Sequence, residues 1–173
     1  RILEEQIMQA GIPYRVFGGM RFYERAEIKD ALAYLRLVVF NDDDAAFERI
    51  VNTPSRGLGE RTLATIREQT RVQDCSMWQA SLQLLQDGSL KGRAANALNA
   101  FIELINKLAD EFAGQPLEEQ ANKAINHSGL YAMYQAEKGE KAQARLENLE
   151  ELVTACKQFV IPEEADEMTP LQA

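Results

Sequence analysis

The sequence predicts a mainly α fold: an irregular multi-helix domain with one short N-terminal strand. Apolar residues recur at steps of three and four along most of the 173 residues, and glycine and proline punctuate them at helix-length intervals. A run of β-branched and aromatic residues occurs once, at Tyr14-Arg15-Val16-Phe17. A lone strand has no partner in so helical a chain, so it is expected to belong to a sheet whose other strands lie outside these residues.

In order along the chain, Ile2, Leu3, Ile7 and Met8 predict a short helix stopped at Gly11, and the strand follows Pro13 and closes at Gly18-Gly19. Ile28, Leu32, Leu35 and Val39 form the buried stripe of a helix over 24–40. Asn41-Asp42-Asp43-Asp44 breaks it and supplies acidic caps for a helix through Phe47, Ile50 and Val51, which Thr53-Pro54 ends. The next helix runs from near Gly59 to Thr70. Ser76 then caps one carrying Met77, Trp78, Leu82 and Leu85, terminated by Gly88. The helix over 90–112 buries Leu98, Phe101, Ile102, Ile105 and Leu108. A helix from Leu117 reaches the Ser128-Gly129 break, and helices over 130–135 and 141–159 follow, the last with Leu146, Leu149, Leu152 and Val153 on one face. Val160 to Ala173 carries four acids, two prolines and no base, the composition of a mobile acidic loop.

With 19 Lys and Arg against 27 Asp and Glu the formal charge is −8, so the surface as a whole repels a polyanion and any nucleic-acid contact must be local. No apolar run approaches the roughly 18 residues needed to span a bilayer, and the start is neither a signal peptide nor an initiator methionine. The expectation is therefore a piece of a cytoplasmic protein with no membrane contact. Two cysteines, Cys75 and Cys156, and one histidine, His127, cannot supply four metal ligands, and both thiols are expected to be buried. His127, at a helix end before Ser128-Gly129, suits a capping or dipole role better than catalysis. The Asp run lacks the spacing, central glycine and closing glutamate of a calcium loop. No phosphate-loop motif, Ser-His-Asp set or Cys-His set is present. No catalytic residue, metal site or cofactor is assigned to these residues.

The sharpest local signal is Thr53-Pro54-Ser55-Arg56-Gly57-Leu58-Gly59-Glu60-Arg61-Thr62-Leu63. Two glycines flank one apolar residue directly before a helix, so no Cβ stands between the backbone and an approaching phosphate, and the free amides of the first turn face outward. From Pro54 to Val72 there are four arginines (Arg56, Arg61, Arg67, Arg71) and two glutamates (Glu60, Glu68), a local charge of +2. The same Gly-apolar-Gly turn occurs in helix-hairpin-helix modules, which grip the DNA backbone without reading bases. A plain helix-to-helix turn that needs φ > 0 explains the pattern almost as well.

The run from Ile12 to Asp30, with its core Gly18-Gly19-Met20-Arg21-Phe22-Tyr23-Glu24-Arg25-Ala26-Glu27-Ile28-Lys29-Asp30, resembles the signature in the second motor half of UvrD-type DNA helicases, the UvrD/Rep/PcrA family. At the family's spacing follow Asp43 to Arg49, the Asn52-Thr53-Pro54 to Leu63 loop, Ser128-Gly129-Leu130, Glu137 to Lys141 and Arg145 to Leu152, so the resemblance covers essentially the whole chain. It implies that residues 1–30 end the first part of a RecA-like lobe, 2A, that 31–160 form the helical insertion 2B, and that 161–173 are the acidic loop. It further implies an accessory or regulatory role in an ATP-dependent 3'-5' DNA helicase acting in DNA repair, with ATP and Mg used by the parent protein and not by this piece. By the same resemblance Gly57 and Gly59, flanking Leu58, contact duplex DNA, with Thr53, Arg56, Arg61 and Thr62 beside them and Ser76 as a second phosphate contact. For Ser76 a simple N-cap is at least as good a reading. The rival from another class is a protein-interaction module that docks repair proteins or a second helicase copy.

Overall fold

The computed structural model describes the backbone of residues 20–166 and the side chains of residues 21–158. Every regular element among the described residues is a helix, nine in all: α1 (Met20–Glu24), α2 (Ala26–Val39), α3 (Asp44–Ile50), α4 (Glu60–Gln73), α5 (Met77–Gln86), α6 (Gly92–Phe112), α7 (Leu117–His127), α8 (Leu130–Ala136) and α9 (Glu140–Asp166). The mainly α expectation therefore holds. The expected helix ending at Gly11 and the strand Tyr14–Phe17 lie outside the described residues. None of the described helices is long and apolar enough to cross a membrane.

The chain divides into two compact units, one made of Ala33–Asp110 and the other of the chain on either side of it. In the Ala33–Asp110 unit α4 packs on α5 and α3 touches α5. Its core holds Tyr34, Leu35, Leu37, Phe47, Ile50, Ile66, Trp78, Leu98, Phe101 and Ile105. Phe47 and Phe101 meet edge to face at 5.6 Å, a geometry that aligns a ring edge with a π face. The predicted stripe of α6 is buried in full, Leu98 to Leu108. The prediction fails at the end of α2, where Val39 is 76% exposed and Leu37 is buried instead. The helix closes there: the Asn41 amide donates to the Leu37 carbonyl at 2.8 Å, so the period of the stripe no longer governs what faces inward. In α5 the buried residues are Met77, Trp78, Ala80, Ser81 and Leu84, while Leu82 is exposed.

Two short joints steer this unit. Asp43 Oδ1 accepts from Ala46 N–H at 3.0 Å and caps α3, as the Asp run predicts. Between α4 and α5 lie only Asp74, Cys75 and Ser76. Asp74 stops α4 in the left-handed region at φ 52°, and Cys75 N–H reaches back to the Thr70 carbonyl at 3.2 Å.

In the other unit α7 packs on α9, and α8 touches both. Its core contains Phe22, Ile28, Leu32, Ile125, Leu130, Tyr134, Leu149, Leu152 and Cys156. Two carboxylates of the N-terminal signature are nearly fully buried, Glu27 and Asp30. Asn148 donates to Glu27 at 2.7 Å and the Tyr134 hydroxyl donates to Asp30 at 3.1 Å, which supplies the hydrogen bonds that buried carboxylates require. His127 ends α7 with Nδ1 2.7 Å from Glu111, a structural placement. The last helix continues to Asp166, past the expected end at Phe159. Residues 160–166, expected to be part of the acidic loop, are therefore helical.

Candidate nucleic-acid interface

The segment between α3 and α4 is a fixed bracket. Its hinge is Asn52, whose Oδ1 accepts from Arg56 N–H at 2.7 Å and from Leu58 N–H at 3.4 Å, while its Nδ2 donates to the Leu58 carbonyl at 2.7 Å. Leu58 is buried at 2% exposure and pins the middle of the turn by its apolar side chain. On either side the glycines are exposed. Gly57 has φ +87°, a conformation that L side chains rarely adopt, so glycine is required there for the backbone alone. Gly59 has an ordinary φ of −86°. No atom lies within 4 Å of a Cβ built at either position, so neither glycine is required by crowding, and Gly59 serves as the N-cap of α4.

The N-terminus of α4 differs from those of α3 and α5. Asp43 caps α3 and the Ser76 hydroxyl caps α5, accepting from Gln79 N–H at 3.1 Å. The α4 cap is Gly59, with no side-chain bond, and the helix ladder starts only at Leu63 N–H to the Gly59 carbonyl. The first-turn N–H groups of α4 are thus left to solvent or a ligand, at the positive end of the helix dipole.

The four arginines separate in space. Arg67 binds Glu48 at 2.7 Å and Glu60 at 2.7 Å, and Arg71 pairs with Glu68 on its own helix. These bonds hold Arg67 and Arg71 firmly protonated, and the Arg67 bond holds the Glu48 carboxyl below its usual range. Arg56 turns inward: it donates to the Tyr34 hydroxyl, and its guanidinium lies 5.3 Å from the Phe101 ring centroid. Tyr34 in turn donates to the Thr53 carbonyl at 2.6 Å, which ties the loop to α2. Arg61 is exposed in the first turn of α4 and has no acidic partner among the described residues. Thr62 is half-buried beside it. Thr53 faces the loop's inner side through its carbonyl.

Ser76 lies apart from this loop. Its hydroxyl donates to Asp42 at 2.6 Å, Asp44 accepts from Met77 N–H at 2.8 Å, and Asp74 joins both carboxylates in the cleft around Ser76. Ser76 thus serves as the N-cap of α5, and the three carboxylates around it repel a phosphate. Cys75, in the same cleft, is only part-buried, which corrects the expectation of two buried thiols; Cys156 alone is fully buried. Among the described residues no group of three or more His, Cys, Asp or Glu could hold a metal. The glycines stand out in the sequence, but Asn52 as their support does not, since a carboxamide in a loop looks the same whether or not the turn closes on it.

Fold and loop together define a helical domain, over the described residues, that presents a braced glycine turn beside an uncapped helix start. The chain belongs to the family of the UvrD-like helicase C-terminal domain, whose model matches residues 1–173. It is 57% identical to DNA helicase II of Escherichia coli (strain K12), over all of this chain and 24% of that protein. It is 39% identical to ATP-dependent DNA helicase PcrA of Bacillus subtilis (strain 168), over 92% of this chain and 21% of that one. With DNA helicase II of Rickettsia typhi it shares 33% identity, over 92% of this chain and 24% of that protein. The chain therefore spans about a quarter of the length of these relatives.

Proposed function

We propose that this chain is the duplex-holding 2B subdomain of an ATP-dependent 3'-5' DNA helicase of DNA repair, together with the end of its 2A lobe. In this reading residues 1–30, with the strand Tyr14–Phe17, complete a RecA-like sheet formed by the rest of the parent protein. ATP and Mg are bound there, in the cytoplasm. Residues 31–160 form 2B. The names of the relatives, both helicase II and PcrA, support the parentage. The observation that carries the role is the uncapped, glycine-framed start of α4, in a unit where the neighbouring starts of α3 and α5 are closed by side chains.

The grip works through the backbone. Phosphate oxygens accept from the N–H groups around Gly57-Leu58-Gly59 and the first turn of α4, and Arg61 adds one charge-assisted bond. Because these contacts touch no base edge, the duplex is held without regard to sequence. Arg56 and Thr53 act from within, by fixing the loop, and Ser76 takes no part.

The test is fluorescence anisotropy of a labelled duplex with the intact protein and its Gly59→Asp variant, paired with thermal melts. Position 59 is the clean probe, because its φ is ordinary and its surroundings are open. The variant is expected to melt like the parent and to bind unrelated duplexes with equally reduced affinity. Unchanged affinity would remove the docking role and favour a protein partner for this surface.

A further inference from the structure

We infer that Asn52 is the positioning residue of the docking loop, dividing its main-chain amides into an inward and an outward set; the inference rests on the duplex-holding reading above. Between Thr53 N–H to the Ile50 carbonyl and Leu63 N–H to the Gly59 carbonyl, no backbone hydrogen bond closes the loop among the described residues. The three bonds of the Asn52 carboxamide replace them. Two of the three bind alternate amides, those of Arg56 and Leu58. The N–H groups of Gly57 and Gly59 have no partner within the protein among the described residues. Backbone N–H groups that a turn leaves unbonded are the donors available to an anion.

The residue type is demanded by the chemistry. The site needs an acceptor for two N–H groups and a donor for a carbonyl on one short side chain, and a carboxamide supplies both. An aspartate would set an oxygen against the Leu58 carbonyl. Alanine would leave the Arg56 and Leu58 amides free to rotate outward. A loop already held in its bound form loses less freedom when DNA arrives, so Asn52 acts on affinity without touching the ligand.

Two measurements test this on the intact protein with a synthetic duplex. In amide-resolved hydrogen exchange of the wild type, Arg56 and Leu58 are expected to be slow with or without DNA, while Gly57 and Gly59 are fast alone and slow with DNA. Protection of Gly57 and Gly59 without DNA, or of none of the four with it, would overturn the division. In duplex titrations over several salt concentrations, Asn52→Ala is expected to weaken binding about five- to tenfold. The line of log affinity against log salt should stay parallel to the wild type, because amides release no counterions. Asn52→Ala binding like the wild type, while Gly59→Asp binds poorly, overturns the inference and leaves the docking role standing. Both variants binding normally removes the docking role itself. If Asn52→Ala melts early, the wild-type exchange pattern decides alone.

Discussion

Asn148 on α9 donates to the Glu27 carboxylate at 2.7 Å, across 121 residues of sequence. Glu27 is 3% exposed, so this bond joins the N-terminal signature to the last helix within one compact unit. Removing the donor leaves a buried carboxylate with one fewer hydrogen bond, which costs on the order of 1–3 kcal/mol. Asn148→Leu is therefore expected to lower the melting temperature by about 2–4 °C per kcal/mol lost. Thermal melts followed by circular dichroism check this; a wild-type melt would show that Glu27 needs no such partner.

The arginines give a second prediction through salt. Arg61 has no acidic partner among the described residues, whereas Arg67 is held by Glu48 and Glu60. Arg61→Ala should flatten the slope of log affinity against log salt by about one unit, and Arg67→Ala should leave it unchanged. Titrations of a labelled duplex at several salt concentrations read both slopes. Two slopes equal to the wild type would mean that neither charge meets DNA, and two flattened slopes would mean that Arg67 meets it as well.

The inner tie of the loop gives a third. Tyr34→Phe keeps the buried ring but removes the hydroxyl that donates to the Thr53 carbonyl and accepts from Arg56. A loss of about 1–2 kcal/mol in stability is expected, seen as an earlier melt, with duplex affinity falling less than in Asn52→Ala. The Asn52 bonds remain in place, so the turn itself persists.

A fourth prediction concerns the thiols. Burial pushes the Cys156 thiol up from an ordinary value near 9.0 to about 12, with a smaller contribution from Glu118. A raised value in the folded state means that the folded protein holds this proton more tightly than the unfolded chain. Its contribution to stability is therefore complete below about pH 9 and is lost as pH rises towards 12. Cys156→Ala should flatten that alkaline decline. At neutral pH a thiol reagent is expected to modify part-exposed Cys75 slowly, because burial and then Asp44, Asp74 and Asp42 push its thiol up, and to reach Cys156 only after unfolding. Two fast-reacting thiols in the native protein would contradict the buried placement.

Much of this fold is legible in the sequence because helix periods are local. The α6 stripe from Leu98 to Leu108 follows directly from its spacing, and Asp43 and Ser76 cap the helices they precede. Legibility stops where the answer depends on a distant segment. The sign of Arg56 is plain from sequence, but its inward turn depends on Tyr34 and Phe101 meeting beneath the loop. The carboxylates around Ser76 include Asp42 and Asp44, more than thirty residues earlier. Val39 fails for a related reason: a period predicts which face is buried, not where the helix ends.

The joint of Asp74, Cys75 and Ser76 leaves α4 and α5 no spare length, since one end is fixed by a left-handed residue and the other by a helix cap. For anyone building a reporter into this protein, the joint is the wrong place: one added residue would re-aim α5 and uncouple Trp78 from its packing. The turn at Lys138-Gly139 suits a dye or short tag better. It is exposed, its glycine has φ +108° and open space around it, and the helix after it can start from a new cap.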